Sequence, residues 1–143
     1  MKIKLKRLHK DAIIPTYGTK SSACLDLYAV EDGIFRPGET LRIRSGWAFE
    51  IPEGYYVEIM PRSGLSIKNS LIMPNSPGIV DSDYRGEIFV YMKFLREKGL
   101  FSIQKGDRFA QMQIKRSITM EFEEVEELGE TDRGSGGFGS TGV

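Results

Sequence analysis

The sequence has one cysteine, one histidine, no net charge and no long apolar run. Because Cys24 stands alone, an internal disulfide and a CxxC metal site are excluded. His9 lies in a lysine-rich opening segment, so neither histidine catalysis nor structural zinc is expected. Twenty basic side chains balance twenty acidic ones, so no global field attracts nucleic acid or an anionic membrane. No apolar stretch of secretory or membrane-spanning length follows the basic N-terminus, and we therefore expect an intracellular, cytoplasmic protein.

The most regular feature of the sequence is the alternation of apolar and polar residues, which is typical of strands with one buried face. A chain of 143 residues, 40% of them hydrophobic, is sufficient for one globular domain. Turn residues separate the segments, and Pro52-Glu53-Gly54 has the length of a hairpin connection. The predicted strands lie at 3–5, 41–43, 47–51, 55–59, 88–95, 110–114 and 118–122. We therefore expect an all-β fold, a distorted jelly-roll-like barrel.

Helix-forming sequence is scarce, and at most one short helix is predicted, over residues 64–70. Its first turn would direct backbone N–H groups toward an anion. Residues 121–132 carry seven carboxylates and are interpreted as a solvated strand edge followed by a loop. The composition changes at residue 133. We therefore predict a barrel domain over residues 1–132 and a glycine-rich C-terminal arm over residues 133–143.

The arm, RGSGGFGSTGV, has five glycines in eleven residues and one large apolar side chain, so it should be mobile until a ligand holds it. Gly134, Gly136 and Gly139 match GxGxxG formally. A Rossmann site also needs a strand before and a helix after the glycines, and a P-loop needs Gly-Lys-Ser/Thr; the sequence provides neither. Two interpretations stay open: an arm that closes over a phosphorylated aromatic ligand through Arg133 and Phe138, or a disordered terminus without a function.

Two further clusters suit a nucleotide, and each also has a purely structural interpretation. Residues 61–70, PRSGLSIKNS, place a guanidinium fork, a hydroxyl and an open amide (Arg62, Ser63 and Gly64) at the start of the predicted helix. A capped surface helix with an exposed arginine has the same pattern. Residues 75–87, NSPGIVDSDYRGE, predict a tight hairpin that fixes a carboxylate and Tyr84, although aspartates in turns are commonly turn formers.

Five segments of the chain resemble the five ordered motifs of the homotrimeric dUTPases. They are SACLDLYA (22–29), the two clusters above, GDRFAQ (106–111) and the arm. The resemblance extends from residue 22 to residue 142. It departs from the family mildly, since Cys24 and Ser70 stand where glycine is usual and Ile79-Val80 inverts the usual order. The resemblance implies three jelly-roll subunits that share their active sites and hydrolyse dUTP to dUMP and pyrophosphate, which limits uracil in DNA and supplies dUMP for thymidylate synthesis.

The resemblance also implies a role for each site residue. Asp81 is the general base that activates a water for attack on the α-phosphorus, and Ser63 and Gln111 complete the catalytic set. Asn75 and the main chain near Gly78 and Val80 recognise uracil, while the ring of Tyr84 excludes a ribose 2′-hydroxyl. The remaining substrate-binding residues are Asp26, Arg62, Gly64, Arg133, Phe138, Gly139, Ser140 and Thr141. Mg²⁺ is expected on triphosphate oxygens and waters, with Asp26 either as a contact to the ion through water or as a group that positions the sugar.

Three other classes of protein compete with this interpretation. A dCTP deaminase has the same fold class but lacks an RGSGGFGSTG arm. A nucleotide-sensing module would keep the pocket without hydrolysis, and a structural jelly roll would leave the five motifs without a purpose. None of the three needs direct nucleic-acid or membrane binding, and neither is expected here.

Overall fold

The structure is a computed structural model that describes residues 1–138 and 140. In this part of the chain there are twelve strands and one helix. The strands are β1 (Lys4–Arg7), β2 (Thr16–Tyr17), β3 (Leu25–Tyr28), β4 (Gly33–Phe35), β5 (Thr40–Arg44), β6 (Trp47–Glu50), β7 (Tyr55–Pro61), β8 (Leu71–Ile72), β9 (Gly78–Val80), β10 (Phe89–Phe94), β11 (Phe101–Ile103) and β12 (Arg108–Arg116), and the helix is α1 (Ser63–Asn69). The predicted all-β fold with one short helix is confirmed.

The strands form four antiparallel sheets. The largest has the order β2-β3-β12-β7-β9, and a three-stranded sheet has the order β5-β10-β8. Two-stranded sheets, β1-β6 and β11-β4, complete the distorted jelly roll. Neighbours in the sheets are mostly distant in sequence, so the chain crosses repeatedly between sheets and encloses one core.

The alternating side chains point into this core as the period of two predicts. On β7, Val57 and Ile59 are buried, while their neighbours Tyr56 and Glu58 are partly exposed. The most deeply buried large side chains include Leu27, Phe35, Leu71, Phe94 and Phe109. Burying a side chain of this size contributes roughly 1.5–3 kcal/mol, so these residues supply much of the favourable free energy of folding.

The strand predicted over residues 118–122 is absent, and that prediction is wrong for the single chain. The last strand ends at Arg116, and the side chains of Ile118, Met120 and Phe122 are 83%, 72% and 91% exposed. Alternation indicates that one face of a segment can be buried, but a strand also needs a hydrogen-bonding neighbour, and the described part of the chain offers none here. The division between residues 132 and 133 stays a prediction.

Two connections also differ from the expected hairpins. Pro52-Glu53-Gly54 joins β6 to β7, but β6 pairs with β1 while β7 pairs with β12 and β9, so the turn carries the chain between sheets. The segment 75–87 does not pair with itself. Its strand, β9, pairs with β7 and lies between a turn closed by Ser76 and a turn closed by Tyr84. Short turns fix the direction of the chain, whereas the pairing partner depends on long-range contacts.

The helix and the central strand β12 position the residues of interest. The helix follows β7 directly and ends at Asn69. Its C-cap residue, Ser70, has a left-handed φ of 56°, which explains why glycine is common at that position of the motif. On β12, Gln111 pairs with Asp26 of β3 on one side and Met60 of β7 on the other. The N-terminus of the helix and these two polar side chains therefore share one end of the large sheet.

In the described residues, no helix has the length and apolar character needed to span a bilayer.

Candidate active site

One pocket lies where β3, β12 and the start of α1 meet, and we call it the arginine pocket. Its volume is about 360 Å³. The side chains that characterise it are those of Asp26, Arg62, Ser63, Arg108 and Gln111, together with Gly64. Because Gln111 and Asp26 are cross-strand partners, their side chains point to the same face of the sheet. The predicted phosphate-binding residues are thus brought together.

The carboxylate of Asp26 organises the arginine pocket. Asp26 is only 8% exposed, and its Oδ1 forms an ion pair with Nε of Arg62 at 2.9 Å. Oδ2 accepts from Nη1 of Arg108 at 3.1 Å. A second nitrogen of Arg62, Nη1, donates to the carbonyl of Arg108 at 3.0 Å. Two guanidinium groups on one carboxylate leave an excess positive charge, which suits a bound polyanion.

Polar groups around the guanidinium pair also remain available to a ligand. Gln111 donates from Nε2 to the carbonyl of Pro61 at 3.0 Å, which orients its amide oxygen. The helix begins at Ser63 without a side-chain cap, so its first N–H groups have no side-chain acceptor. At Gly64 a Cβ atom would meet nothing within 4 Å, so an anion can approach the backbone. The geometry supports phosphate binding over the alternative of a capped surface helix.

A second pocket, which we call the tyrosine pocket, lies beside β9. Its volume is about 230 Å³, and its lining includes Asn75, Gly78, Val80, Asp81, Tyr84 and Glu87. β9 is the edge strand of the five-stranded sheet, with β7 on one side only. An edge strand presents unpaired backbone donors and acceptors, and Asp81 follows this edge directly. Backbone groups, an amide, a carboxylate and an aromatic ring therefore converge here.

The aromatic ring and the carboxylate of the tyrosine pocket are held at fixed relative positions. The backbone N–H of Tyr84 donates to the carbonyl of Asp81 at 3.2 Å, and its hydroxyl donates to the carbonyl of Glu87 at 3.1 Å. Glu87 in turn accepts from Nε of Arg44 at 2.9 Å and from the backbone N–H of Gly46 at 3.0 Å. The hydrogen bond to Glu87 raises the pKa of Arg44, so the guanidinium that holds Glu87 keeps its positive charge.

No described residue lines both pockets. The proposed base, Asp81, belongs to the tyrosine pocket, whereas Ser63 and Gln111 belong to the arginine pocket. The structure of one chain therefore separates the predicted catalytic set into a half that suits phosphates and a half that suits a nucleoside.

None of the described arm residues lines either pocket. Arg133, Phe138 and Ser140 are exposed, and the ring of Phe138 has no shielding from the rest of the chain. Gly139 and Thr141, which were also assigned to the substrate, lie outside the described residues. Local backbone hydrogen bonds connect Gly136 to Arg133 and Ser140 to Gly137. In a single chain, then, the arm residues that the structure describes are not part of a formed site.

Comparison with known proteins adds to this geometry. The family model described as dUTPase matches residues 10–142. The chain belongs to the dUTPase family. It is 50% identical over 142 residues to the deoxyuridine 5′-triphosphate nucleotidohydrolase of Nautilia profundicola, covering 99% of each chain. The corresponding protein of Helicobacter pylori strain J99 is 46% identical over 143 residues, which cover 100% of this chain and 98% of that one.

Solved dUTPase structures share the fold. The dUTPase of Staphylococcus bacteriophage 80alpha with dUPNHPP superposes with a TM-score of 0.88 at 30% identity, covering 99% of both chains. A point mutant of the dUTPase of phage phi11 of S. aureus, described with a structural Mg(II) ion, has a TM-score of 0.81 at 26% identity and covers 91% of this chain and 100% of that one. In the described residues of the present dUTPase, no group of three or more His, Cys, Asp or Glu side chains could hold a metal ion.

Sequence reasoning missed several residues of this dUTPase site. Arg108 was quoted within GDRFAQ but received no role, although it forms the second ion pair of Asp26. The sequence carried no signal for this, because residues three apart on a regular strand point to opposite faces, and the register shift between Arg108 and Ala110 is visible only in the structure. Cys24 lines the arginine pocket with a negative φ, so the replacement of the usual glycine does not strain this turn. Glu87, within the third motif, was also missed as the anchor of Tyr84.

Proposed function

We propose that this dUTPase-family chain hydrolyses dUTP to dUMP and pyrophosphate through water attack on the α-phosphorus. The observation that carries the proposal is the presence of two complementary half-sites. A buried carboxylate holds two guanidinium groups where a triphosphate would bind, and a strand edge with Asn75, Asp81 and Tyr84 offers a place for a deoxyuridine. The reaction would limit uracil in DNA and supply dUMP for thymidylate synthesis.

Recognition of the base relies on the edge of β9. Uracil presents an acceptor, a donor and an acceptor, which the Asn75 side chain and backbone groups near Gly78 and Val80 can complement. Cytosine has the wrong pattern at two of these positions, and each unpaired buried group would cost roughly 1–3 kcal/mol. A thymine methyl group would collide with the same backbone. The strand edge therefore supports selection of uracil over both other pyrimidines.

Recognition of the sugar relies on Tyr84, whose ring we place under the deoxyribose where a 2′-hydroxyl would need room. We expect Tyr84→Ala to increase kcat/KM for UTP relative to that for dUTP, because the variant opens this space. Steady-state kinetics with both nucleotides measure the ratio. Tyr91→Ala is the control, since Tyr91 is similarly exposed and lines the same pocket from β10, outside the segment proposed to contact the sugar. If the Tyr84 variant keeps the wild-type ratio, the ring has no role in sugar selection.

Catalysis relies on the two halves acting on one phosphate chain. Asp81 orients and deprotonates the attacking water, a role that typically contributes a factor of about 100 to 10,000. Arg62, Ser63 and Gln111 hold the phosphates. Arg133 with the hydroxyls of Ser140 and Thr141 takes the γ end, the amide of Gly139 adds a backbone donor, and Phe138 stacks on the base. Closure of the arm excludes bulk water, which strengthens each of these electrostatic contacts.

Magnesium is part of the proposal, and the residues present fit an ion held mainly by substrate. Both carboxylate oxygens of Asp26 are paired with guanidinium groups, so Asp26 would contact the ion through a water. When bound, the ion supplies positive charge to the phosphate oxygens.

We also propose that the protein is a homotrimer in which the half-sites of different chains meet. The separation of the two pockets on one chain supports this, because neither half contains both the proposed base and the phosphate-binding residues. The exposed, alternating side chains of Ile118, Met120 and Phe122 support it as well. Apolar side chains that remain exposed in a regular row indicate a surface that a partner covers. The third chain would contribute its arm.

The proposal is tested by incubating the protein with dUTP or dCTP and magnesium while pyrophosphate and ammonia are measured. Pyrophosphate from dUTP alone is expected, together with a molar mass of three chains. Ammonia from dCTP would instead indicate a deaminase, and tight binding of dUTP without product would indicate a nucleotide sensor. A monomeric mass would contradict the shared site. The intracellular location stays a prediction from the sequence.

A further inference from the structure

Gly86 stands two residues after Tyr84, in a backbone conformation that does not itself require glycine. Its φ lies outside the positive range that side chains rarely adopt, unlike that of Gly46 or Gly54. Local conformational freedom therefore does not explain why a glycine occupies this position. The explanation must come from the space that a side chain would fill.

That space is taken by the ring of Tyr84. A Cβ atom built on Gly86 would lie 2.5 Å from Cζ and 3.0 Å from Cε2 of Tyr84, and closer still to the hydroxyl oxygen. Carbon atoms in contact are normally about 3.5–4.0 Å apart, so alanine at residue 86 and the present ring position are incompatible. No other residue is among the three nearest neighbours of this Cβ position.

The backbone that follows Gly86 is held by several contacts that oppose a shift to relieve the overlap. Glu87 is tied through its carboxylate to Arg44 at 2.9 Å and to the backbone of Gly46 at 3.0 Å. Ile88 is buried, and its N–H donates to the carbonyl of Trp47 at 2.7 Å. The ring of Tyr84, in contrast, is 40% exposed, and one hydrogen bond from its hydroxyl to the Glu87 carbonyl holds it. The ring is therefore the part that must yield.

We propose that Gly86 is a specificity-positioning residue: by lacking a side chain, it provides the seat in which the Tyr84 ring lies against the Glu87 carbonyl. This inference rests on the proposed function, because the ring selects deoxyribose only if the chain acts on a deoxynucleotide. Gly86 does not line the tyrosine pocket and acts through Tyr84. A methyl group at residue 86 displaces the ring and reopens the space for a 2′-hydroxyl.

The test compares kcat/KM for dUTP and UTP in the wild type, Gly86→Ala, Tyr84→Ala and the double variant. Gly86→Ala is expected to raise the UTP-to-dUTP ratio about tenfold, at the lower end of the roughly 10- to 200-fold range over which a pocket discriminates one small group. In the double variant, Gly86→Ala should add nothing to the effect of Tyr84→Ala, because the atoms it collides with are gone. Gly129→Ala is the matched control, since a Cβ there meets nothing within 4 Å and its φ is not positive. It should keep the wild-type ratio.

Thermal unfolding of the same four proteins tests the contact independently of activity. Gly86→Ala should lower Tm in the wild type and leave it unchanged in the Tyr84→Ala background. If Gly86→Ala alone fails to fold, Tyr84→Ala should restore folding. An unchanged UTP-to-dUTP ratio in Gly86→Ala, equal effects in both backgrounds, or no restoration of folding would each overturn the inference. If the wild type does not hydrolyse dUTP, the proposed function and the role of Gly86 in sugar selection are both wrong. The dependence of the Tm effect of Gly86→Ala on Tyr84 would still show whether the two residues are in contact.

Discussion

Asp81→Asn is expected to lower kcat for dUTP by about 100-fold or more while a non-hydrolysable dUTP analogue still binds with nearly wild-type affinity. Asparagine keeps the shape of the side chain but cannot accept a proton from water. The backbone carbonyl of residue 81, which accepts from the Tyr84 N–H at 3.2 Å, is unchanged by the substitution, so the turn should persist. Pyrophosphate release measures kcat, and titration calorimetry measures the affinity for the analogue.

Asp83→Asn is the matched control for this prediction. Asp83 lies in the same turn and is also exposed, but it does not line the tyrosine pocket. The same loss of one negative charge should therefore leave kcat nearly unchanged. Near wild-type turnover in Asp81→Asn, or an equal loss in both variants, would show that Asp81 is not the base.

Removal of residues 133–143 is expected to reduce kcat/KM for dUTP at least tenfold, with little change in Tm or in oligomeric mass. The described arm residues are exposed apart from the partly buried Gly136, and none belongs to the core, so folding loses little. Stacking of one aromatic ring on a base is worth about 1–3 kcal/mol, and Phe138 is the arm's single large apolar side chain. Ordering a glycine-rich segment costs roughly 1–2 kcal/mol per residue, so closure requires the charged phosphate chain as well.

Phe138→Ala should reproduce part of this loss. Leu128→Ala is the control, since Leu128 is 88% exposed but lies before the arm. Amide hydrogen exchange in the arm should slow with a non-hydrolysable dUTP analogue and much less with dUMP. Equally fast exchange with and without the analogue would contradict closure and leave the arm without a catalytic role.

The period of two predicted six of the twelve strands in the described part of the chain, and the six that it missed have four residues or fewer, too few for an alternation to be recognised. On β12, Ala110 and Met112 are buried while Gln111 and Gln113 face outward, as the alternation requires. The same pattern at Ile118, Met120 and Phe122 gave a wrong prediction. Alternation reports that a face will be covered, but it carries no information about whether the covering strand belongs to the same chain.

Motif reasoning located the site residues but not their grouping. It identified Asp26 and Arg62, yet it could not show that one carboxylate holds two arginines, because Arg108 is 82 positions from Asp26 and reaches it only through the pairing of β3 with β12. It also described 75–87 as a hairpin, whereas the partner of β9 is β7. Both gaps concern contacts between distant segments, which depend on sheet order rather than on local sequence.

The division of the catalytic groups between two pockets has a genetic consequence. In a shared-site trimer, a subunit that lacks Asp81 and a subunit that lacks Arg62 are defective in different places. When both kinds assemble together, some sites receive an intact carboxylate from one subunit and an intact guanidinium from another. Two inactive alleles in one cell could thus restore partial activity to each other, while two copies damaged in the same pocket could not.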